Sequence, residues 1–210
     1  NRLAAAELDV SLFGGCIGPF SLAGRLYDMT ELMMAMYIEP DTANLLLDKC
    51  TQFILEYCKQ IKASGSAGVV MAEPAAGLLS NDDCQAYSSR FVKTIVDAVQ
   101  DDNFVVMLHN CGNTGQCTKA MIETGAAALH FGNAIDMTQV LDEVPADIAV
   151  SGNINPVEIM KFGTPQQVED VAKQLIKLAD KHNNFILSTG CDVPPETPFE
   201  NIESLFNATI

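Results

Sequence analysis

The stretch Phe104-Val105-Val106-Met107-Leu108-His109-Asn110-Cys111-Gly112-Asn113 decides how the chain is read. Five apolar residues end abruptly in His-x-Cys and a glycine turn, the pattern of a buried strand that stops at a functional edge. Side chains alternate between the two faces of a strand, so His109 and Cys111 point the same way. An imidazole and a thiol on one side of a strand end suit two corners of a tetrahedral zinc site. The best third ligand is Cys191, in Ser188-Thr189-Gly190-Cys191-Asp192, which also follows an apolar run, Phe185-Ile186-Leu187.

Outward from this strand the chain alternates between short apolar runs and helical patterns. Upstream, Leu8 to Phe13 reads as a strand and Gly14-Gly15-Cys16-Ile17-Gly18-Pro19-Phe20 as a glycine-rich turn. Met29 to Met36 reads as a helix. Pro40 starts another, with Leu45, Leu46, Phe53, Ile54, Tyr57 and Ile61 at helical spacing up to Gly65. Gly68 to Ala72 is a strand ending in Glu73-Pro74, and Ser80 caps a helix that runs to Val99.

Downstream, a helix is expected from Thr114 to Gly125, a strand from Ala127 to Phe131, and a helix from Asp136 to Val144. A further strand spans Asp147 to Ser151, and Gly152-Asn153-Ile154-Asn155-Pro156 opens the next helix. Thr164-Pro165 starts a helix reaching His182. Phe185 to Ser188 is the last strand, and Thr197-Pro198 begins a final helix. Strands too apolar to have a wet face, each followed by a helix, predict an α/β fold with a parallel sheet covered by helices. Six such units fit a TIM (β/α)8-type barrel, closed at ~250 residues, with two N-terminal units missing. An open doubly wound sheet is the alternative, but no Gly-x-Gly-x-x-Gly follows a strand.

Bulk properties narrow the function. The 210 residues are 48% hydrophobic and 19% charged, in keeping with one globular domain. A net charge of −15 with only 12 Lys and Arg argues against nucleic acid as a partner. No apolar run approaches the ~20 residues needed to cross a bilayer. Asn1-Arg2-Leu3-Ala4 lacks the features of a signal peptide. Seven scattered cysteines in such a chain point to free thiols in a reducing, cytoplasmic setting rather than to disulfides.

In barrels of this kind catalytic groups gather at the C-terminal ends of strands. Those ends carry Glu73, His109 with Cys111, His130, Ser151 with Asn153, and Cys191 with Asp192. Zinc held by one nitrogen and two thiolates keeps a fourth position open, and a thiol there would lose its proton to the metal charge. From residue types alone, two buried thiols and a core histidine remain an equal alternative. Cys50, Cys58, Cys84 and Cys117 read as small helix-borne hydrophobes, while Cys16 is left undecided. His130 reads as a rim or core histidine and His182 as a helix C-terminal residue facing the dipole. Asn153 and Asn155 read as turn-shaping residues, with Asn153 near the pocket.

Three motifs, His109-Asn110-Cys111-Gly112-Asn113, Gly152-Asn153-Ile154-Asn155-Pro156-Val157-Glu158 and Gly190-Cys191-Asp192-Val193-Pro194-Pro195-Glu196-Thr197-Pro198, resemble the uroporphyrinogen decarboxylase superfamily. Gly18-Pro19-Phe20-Ser21-Leu22-Ala23 matches it too. Within that superfamily the chain is most similar to the corrinoid-dependent methylcobalamin:coenzyme M methyltransferases. The resemblance implies that residues 1–210 are one domain, the C-terminal portion of an eight-stranded barrel. It implies zinc on His109, Cys111 and Cys191, with Glu73 as a fourth or exchangeable ligand. The implied reaction moves a methyl group from methylcobalamin or another methylated corrinoid, presented by a corrinoid carrier protein, to a small thiol such as coenzyme M. Glu73 and Asn153 are then the residues expected beside the reacting groups. The missing units imply either a fragment or a reduced member completed by another copy in a homodimer. A decarboxylase-like enzyme acting on a tetrapyrrole, and a non-catalytic corrinoid- or metal-binding barrel module, are the alternatives.

Overall fold

The computed structural model describes residues 1–209. After a short helix α1 (Arg2–Glu7) come β1 (Phe13–Ile17), α2 (Pro19–Tyr27), α3 (Met29–Ile38) and α4 (Pro40–Ala63). Strand β2 (Gly68–Ala72) leads through a turn of 3-10 helix to α5 (Asn81–Cys84). A π turn, Gln85–Ser89, joins α5 to α6 (Arg90–Val99), giving the continuous helical stretch that Ser80 caps through the Asp83 amide. Then follow β3 (Val105–Asn110), α7 (Thr118–Ile122), β4 (Ala128–Phe131), α8 (Met137–Glu143) and β5 (Ala149–Ile154). After a π turn, Pro156–Lys161, the chain ends with α9 (Pro165–Ile176), β6 (Phe185–Thr189) and α10 (Phe199–Asn207).

The six strands lie in one parallel sheet in chain order, β1 to β6, as consecutive β/α crossovers of constant hand require. This is the α/β architecture of a partial TIM barrel. The main core lies between the sheet and the helices, where Val69, Met71, Val106, Leu108, Leu129, Phe131 and Val150 meet Ile54, Val92, Ile95 and Val96. Residues of opposite parity line the concave face. The register puts Ile17, Ala72, His109, His130, Ser151 and Ile186 in a single row across all six strands. Among the described residues no helix is long and apolar enough to cross a membrane.

The first strand departs from expectation. Of the strand expected from Leu8 to Phe13 only Phe13 is in one; β1 starts there and is built from the glycine run predicted as a turn, paired Phe13 to Gly68 through Ile17 to Ala72. The reason is close approach. A Cβ at Gly14 would sit 2.6 Å from Ile61 Cγ2, so glycine is what lets α4 lie flat on the strand. Two further boundaries shift. β5 runs on to Ile154, so Gly152 and Asn153 belong to a strand, and the helical turn begins at Pro156. The helix expected from Thr114 shrinks to α7, because the Asn113 side-chain Oδ1 accepts from the amides of Gly115 and Cys117 and holds the segment as a loop. The Thr164 cap is a full capping box with Gln167. α9 gives way to a short 3-10 turn, Lys177–Asp180, before His182, which lies 3.4 Å from the Asp142 carboxylate.

The two adjacent glycines of β1 make a sensitive test of this packing. Gly14→Ala forces the Ile61 side chain to move and is expected to cost about 1–3 kcal/mol in urea unfolding. Gly15 has nothing within 4 Å of the added methyl. Gly15→Ala is therefore expected to be neutral, or stabilising by up to about 1 kcal/mol through the unfolded chain. Equal effects at the two positions would contradict the assignment of β1.

Candidate metal centre

The ligand atoms of His109, Cys111 and Cys191 all lie within 4.8 Å of one another. A tetrahedral zinc ion with Zn–S of about 2.3 Å and Zn–N of about 2.0–2.1 Å would need ligand separations of about 3.5–3.8 Å. Side-chain rotation of about 1 Å closes that difference. The strand brings the first two ligands: His109 is on β3, and Cys111 follows where β3 runs out into the Gly112 turn. Cys191 comes from the loop after β6. Its backbone is fixed by two hydrogen bonds, Gly190 N–H to Ile154 O at 2.7 Å and Thr189 Oγ1 to Cys191 O at 2.8 Å. Gly132, after β4, permits the convergence, since a Cβ there would lie 2.6 Å from Cys111 O.

The histidine is held in the tautomer that a metal needs. A carbonyl oxygen only accepts, so His109 donates from Nδ1 to His130 O at 3.3 Å and keeps the Nε2 lone pair free. His130 is tied in turn by Nε2–H to Thr189 O at 2.7 Å, and the two rings stand 4.5 Å apart. His130 is thus the support of His109 at the rim. Burial, reinforced by the neighbouring His130, pulls the His109 pKa down to about 4, so the ring is neutral near pH 7. Burial and the adjacent Cys191 push the Cys111 thiol above its ordinary range. The Cys111 proton must therefore leave when a metal arrives, so binding strengthens as pH rises toward that raised pKa. The donor set, its spacing and its anchored imidazole fit zinc.

Glu73 does not join this cluster. It is 1% exposed and its carboxylate points away from the concave face, accepting from Phe20 N at 3.2 Å, Ser21 N at 2.9 Å and Ser88 Oγ at 2.7 Å. Both lone-pair edges are occupied in capping α2, a placement that favours a negative group at a helix N-terminus. Only its backbone touches the site, through Glu73 N to His109 O at 2.7 Å. Burial raises its pKa, partly offset by these donors. The three-donor group is His109, Cys111 and Cys191, and the Glu73 carboxylate is spent on α2 and Ser88. Asn153 faces the concave side but spends its amide on Gly132 O and Ile135 O, at 2.9 and 2.8 Å, clamping the loop after β4. It shapes the rim beside the cluster.

Two clefts of about 410 and 490 Å³ open on the cluster, sharing Val70, His109, Cys191 and Asp192. One continues over Met107, Ser151 and Ile186, the other over Gly15, Cys16 and Pro74. Met107 was recoverable from its parity with His109. Val70 and Ile186 were not, because their approach depends on cross-strand register. Cys16 lies 3.8 Å from Cys58 Sγ at the edge of the second cleft. Cys50, Cys58 and Cys84 are buried on helices, and buried Cys117 lies just before α7, its sulfur within 3.4 Å of the carbonyl oxygens of Ala76 and Leu79.

A parallel β/α sheet with an imidazole and two thiols gathered at the C-terminal rim is the layout of a partial barrel with a candidate three-donor metal site. The family model for uroporphyrinogen decarboxylase (URO-D) matches residues 2–209, and the chain belongs to that family. Among curated relatives it is 28% identical over 208 residues to the methylcobamide:CoM methyltransferase MtbA of Methanosarcina acetivorans, covering 94% of this chain and 57% of the relative. The MtbA of Methanosarcina mazei is 29% identical, with the same two coverages. A uroporphyrinogen decarboxylase of Synechococcus is 30% identical over 210 residues, covering 95% of this chain and 58% of the relative. The chain thus spans little more than half the length of these relatives. A solved methyltransferase from Methanosarcina mazei superposes with a TM-score of 0.89 at 22% identity, over 99% of this chain and 61% of that one, which establishes the shared fold.

If Glu73 serves the fold and not the metal, Glu73→Gln retains one equivalent of zinc by elemental analysis while losing about 1–3 kcal/mol of stability, the cost of mismatching buried hydrogen bonds. Loss of zinc with unchanged stability would reverse that assignment.

Proposed function

We propose that the chain is the zinc-bearing part of a methyltransferase that moves a methyl group from a methylated corrinoid, carried by a separate protein, to a small thiol. The observation that carries this is the three-donor cluster with a cleft on either side, in a chain whose relatives include methylcobamide:CoM methyltransferases. When bound, zinc lowers the pKa of a thiol and holds it as a thiolate, the nucleophile that methyl transfer needs.

The chain's own residues account for the rest. His109, Cys111 and Cys191 would hold the ion and leave one direction open toward the clefts. His130 engages Nδ1 of the His109 ring, which would leave the Nε2 lone pair free to hold the ion. Val70, Met107 and Ile186 make the cleft walls apolar, which limits water around the acceptor sulfur. The role of Asn153 is to keep the Gly132–Ile135 loop in place as one wall of the rim. In this reading Asn153 is a positioning residue, and coenzyme M, the acceptor for which the methylcobamide:CoM methyltransferases are named, is the reference acceptor to test.

Decarboxylases are also among the relatives, but a tetrapyrrole with many carboxylates calls for basic side chains. Among the described residues lining the two clefts there is no Lys or Arg. That favours thiol alkylation.

The test is loss of methylcobalamin absorbance on adding a thiol to the purified chain. Chelator-stripped protein is expected to be inactive, and added zinc to restore transfer. Cys191→Ala is expected to lose both bound zinc and transfer by at least about 100-fold, the upper end for disturbing a metal site. Turnover that persists in metal-free protein would refute the proposal, and zinc binding without turnover would favour a binding module.

A further inference from the structure

Asp192 is the one charged side chain lining either cleft among the described residues, and it lines both. It follows Cys191 directly and lines both clefts beside that ligand. It is exposed and takes part in no ion pair within the described residues. The other polar groups on the walls, Ser151, Ser188 and Thr189, are neutral. Two thiolates and a neutral imidazole balance the charge of a zinc ion, so the loaded centre offers a substrate tail no net attraction. The chain as a whole, at −15, adds repulsion for anions.

We infer that Asp192 determines acceptor specificity, and that the cleft built by this chain prefers a thiol with an ammonium or uncharged tail over one ending in sulfonate or carboxylate. The inference rests on the thiol-acceptor function proposed above and names the acceptor's chemistry. Asp192 lines both clefts together with Cys191 and His109, so a short charged tail on a sulfur held at the cluster shares a cleft with its carboxylate. Exposed charge pairs are worth up to about fivefold each, so attraction for one tail and repulsion of the other combine to roughly tenfold or more.

The test is binding, not turnover. The full chain is loaded with cobalt(II), and thiol binding is followed by the sulfur-to-cobalt charge-transfer absorption at fixed pH. The probes are cysteamine, 2-mercaptoethanol and 2-mercaptoethanesulfonate. Cysteamine is expected to bind about tenfold more tightly than the sulfonate, with a preference that shrinks as salt rises. Because the thiols differ in their own acidity, the deciding quantity is the change in that ratio on mutation. Asp192→Asn, with its cobalt spectrum unaltered, is expected to reduce the ratio about tenfold, and Asp192→Lys to invert it. A ratio unmoved by either variant, or tightest binding of the sulfonate to the unaltered chain, would overturn the inference. Absence of a new band with every thiol would instead remove the thiol-acceptor function, and this inference with it.

Discussion

Parallel pairing in unbroken register is the constraint on which the rim depends. Because Ala72, His109, His130 and Ser151 fall in one row, His109 and His130 stand side by side and the first can donate to the backbone of the second. That single bond selects the tautomer of His109, and burial keeps the ring neutral. A slip of one residue in β3 would turn His109 into the helix-facing core and put Leu108 at the rim. The chemistry is thus set by backbone pairing before any side chain is placed.

The same rim holds two kinds of buried polar group, and their surroundings separate them. Glu73 is enclosed by donors, two backbone amides and the Ser88 hydroxyl, so its carboxylate is already satisfied. Cys111 and Cys191 are half-buried thiols facing each other beside an imidazole with a free lone pair. A carboxylate with its hydrogen bonds made has nothing further to offer a cation. A pair of thiols beside an imidazole has two protons to exchange for one metal.

Much of the fold was legible because β2, β3, β4 and β6 are apolar runs that end in turn residues. β1 was not, since Gly14 and Gly15 have poor strand propensity; the run is a strand through its pairing with β2, with α4 packed closely on Gly14. The extension of β5 to Ile154 depends on its pairing with β6, and the loop at Asn113 on local side-chain-to-backbone hydrogen bonds that compete with a helix. In the site, the shared face of His109 and Cys111 followed from alternation, and Cys191 from its place after a strand. For Glu73, strand-end position alone does not give parity: Ala72 pairs with His109 and lines the cleft, while the Glu73 carboxylate bonds Phe20, Ser21 and Ser88. The support of His109 by His130 needed cross-strand register, which one sequence does not contain.

The most direct measurement of the central claim is X-ray absorption at the zinc edge on purified, zinc-loaded chain. The expected spectrum has two sulfur scatterers at about 2.3 Å and nitrogen or oxygen scatterers at about 2.0–2.1 Å, with the outer-shell pattern of one imidazole. A coordination shell of nitrogen and oxygen alone, or a chain that retains no zinc, would contradict a centre built from His109, Cys111 and Cys191.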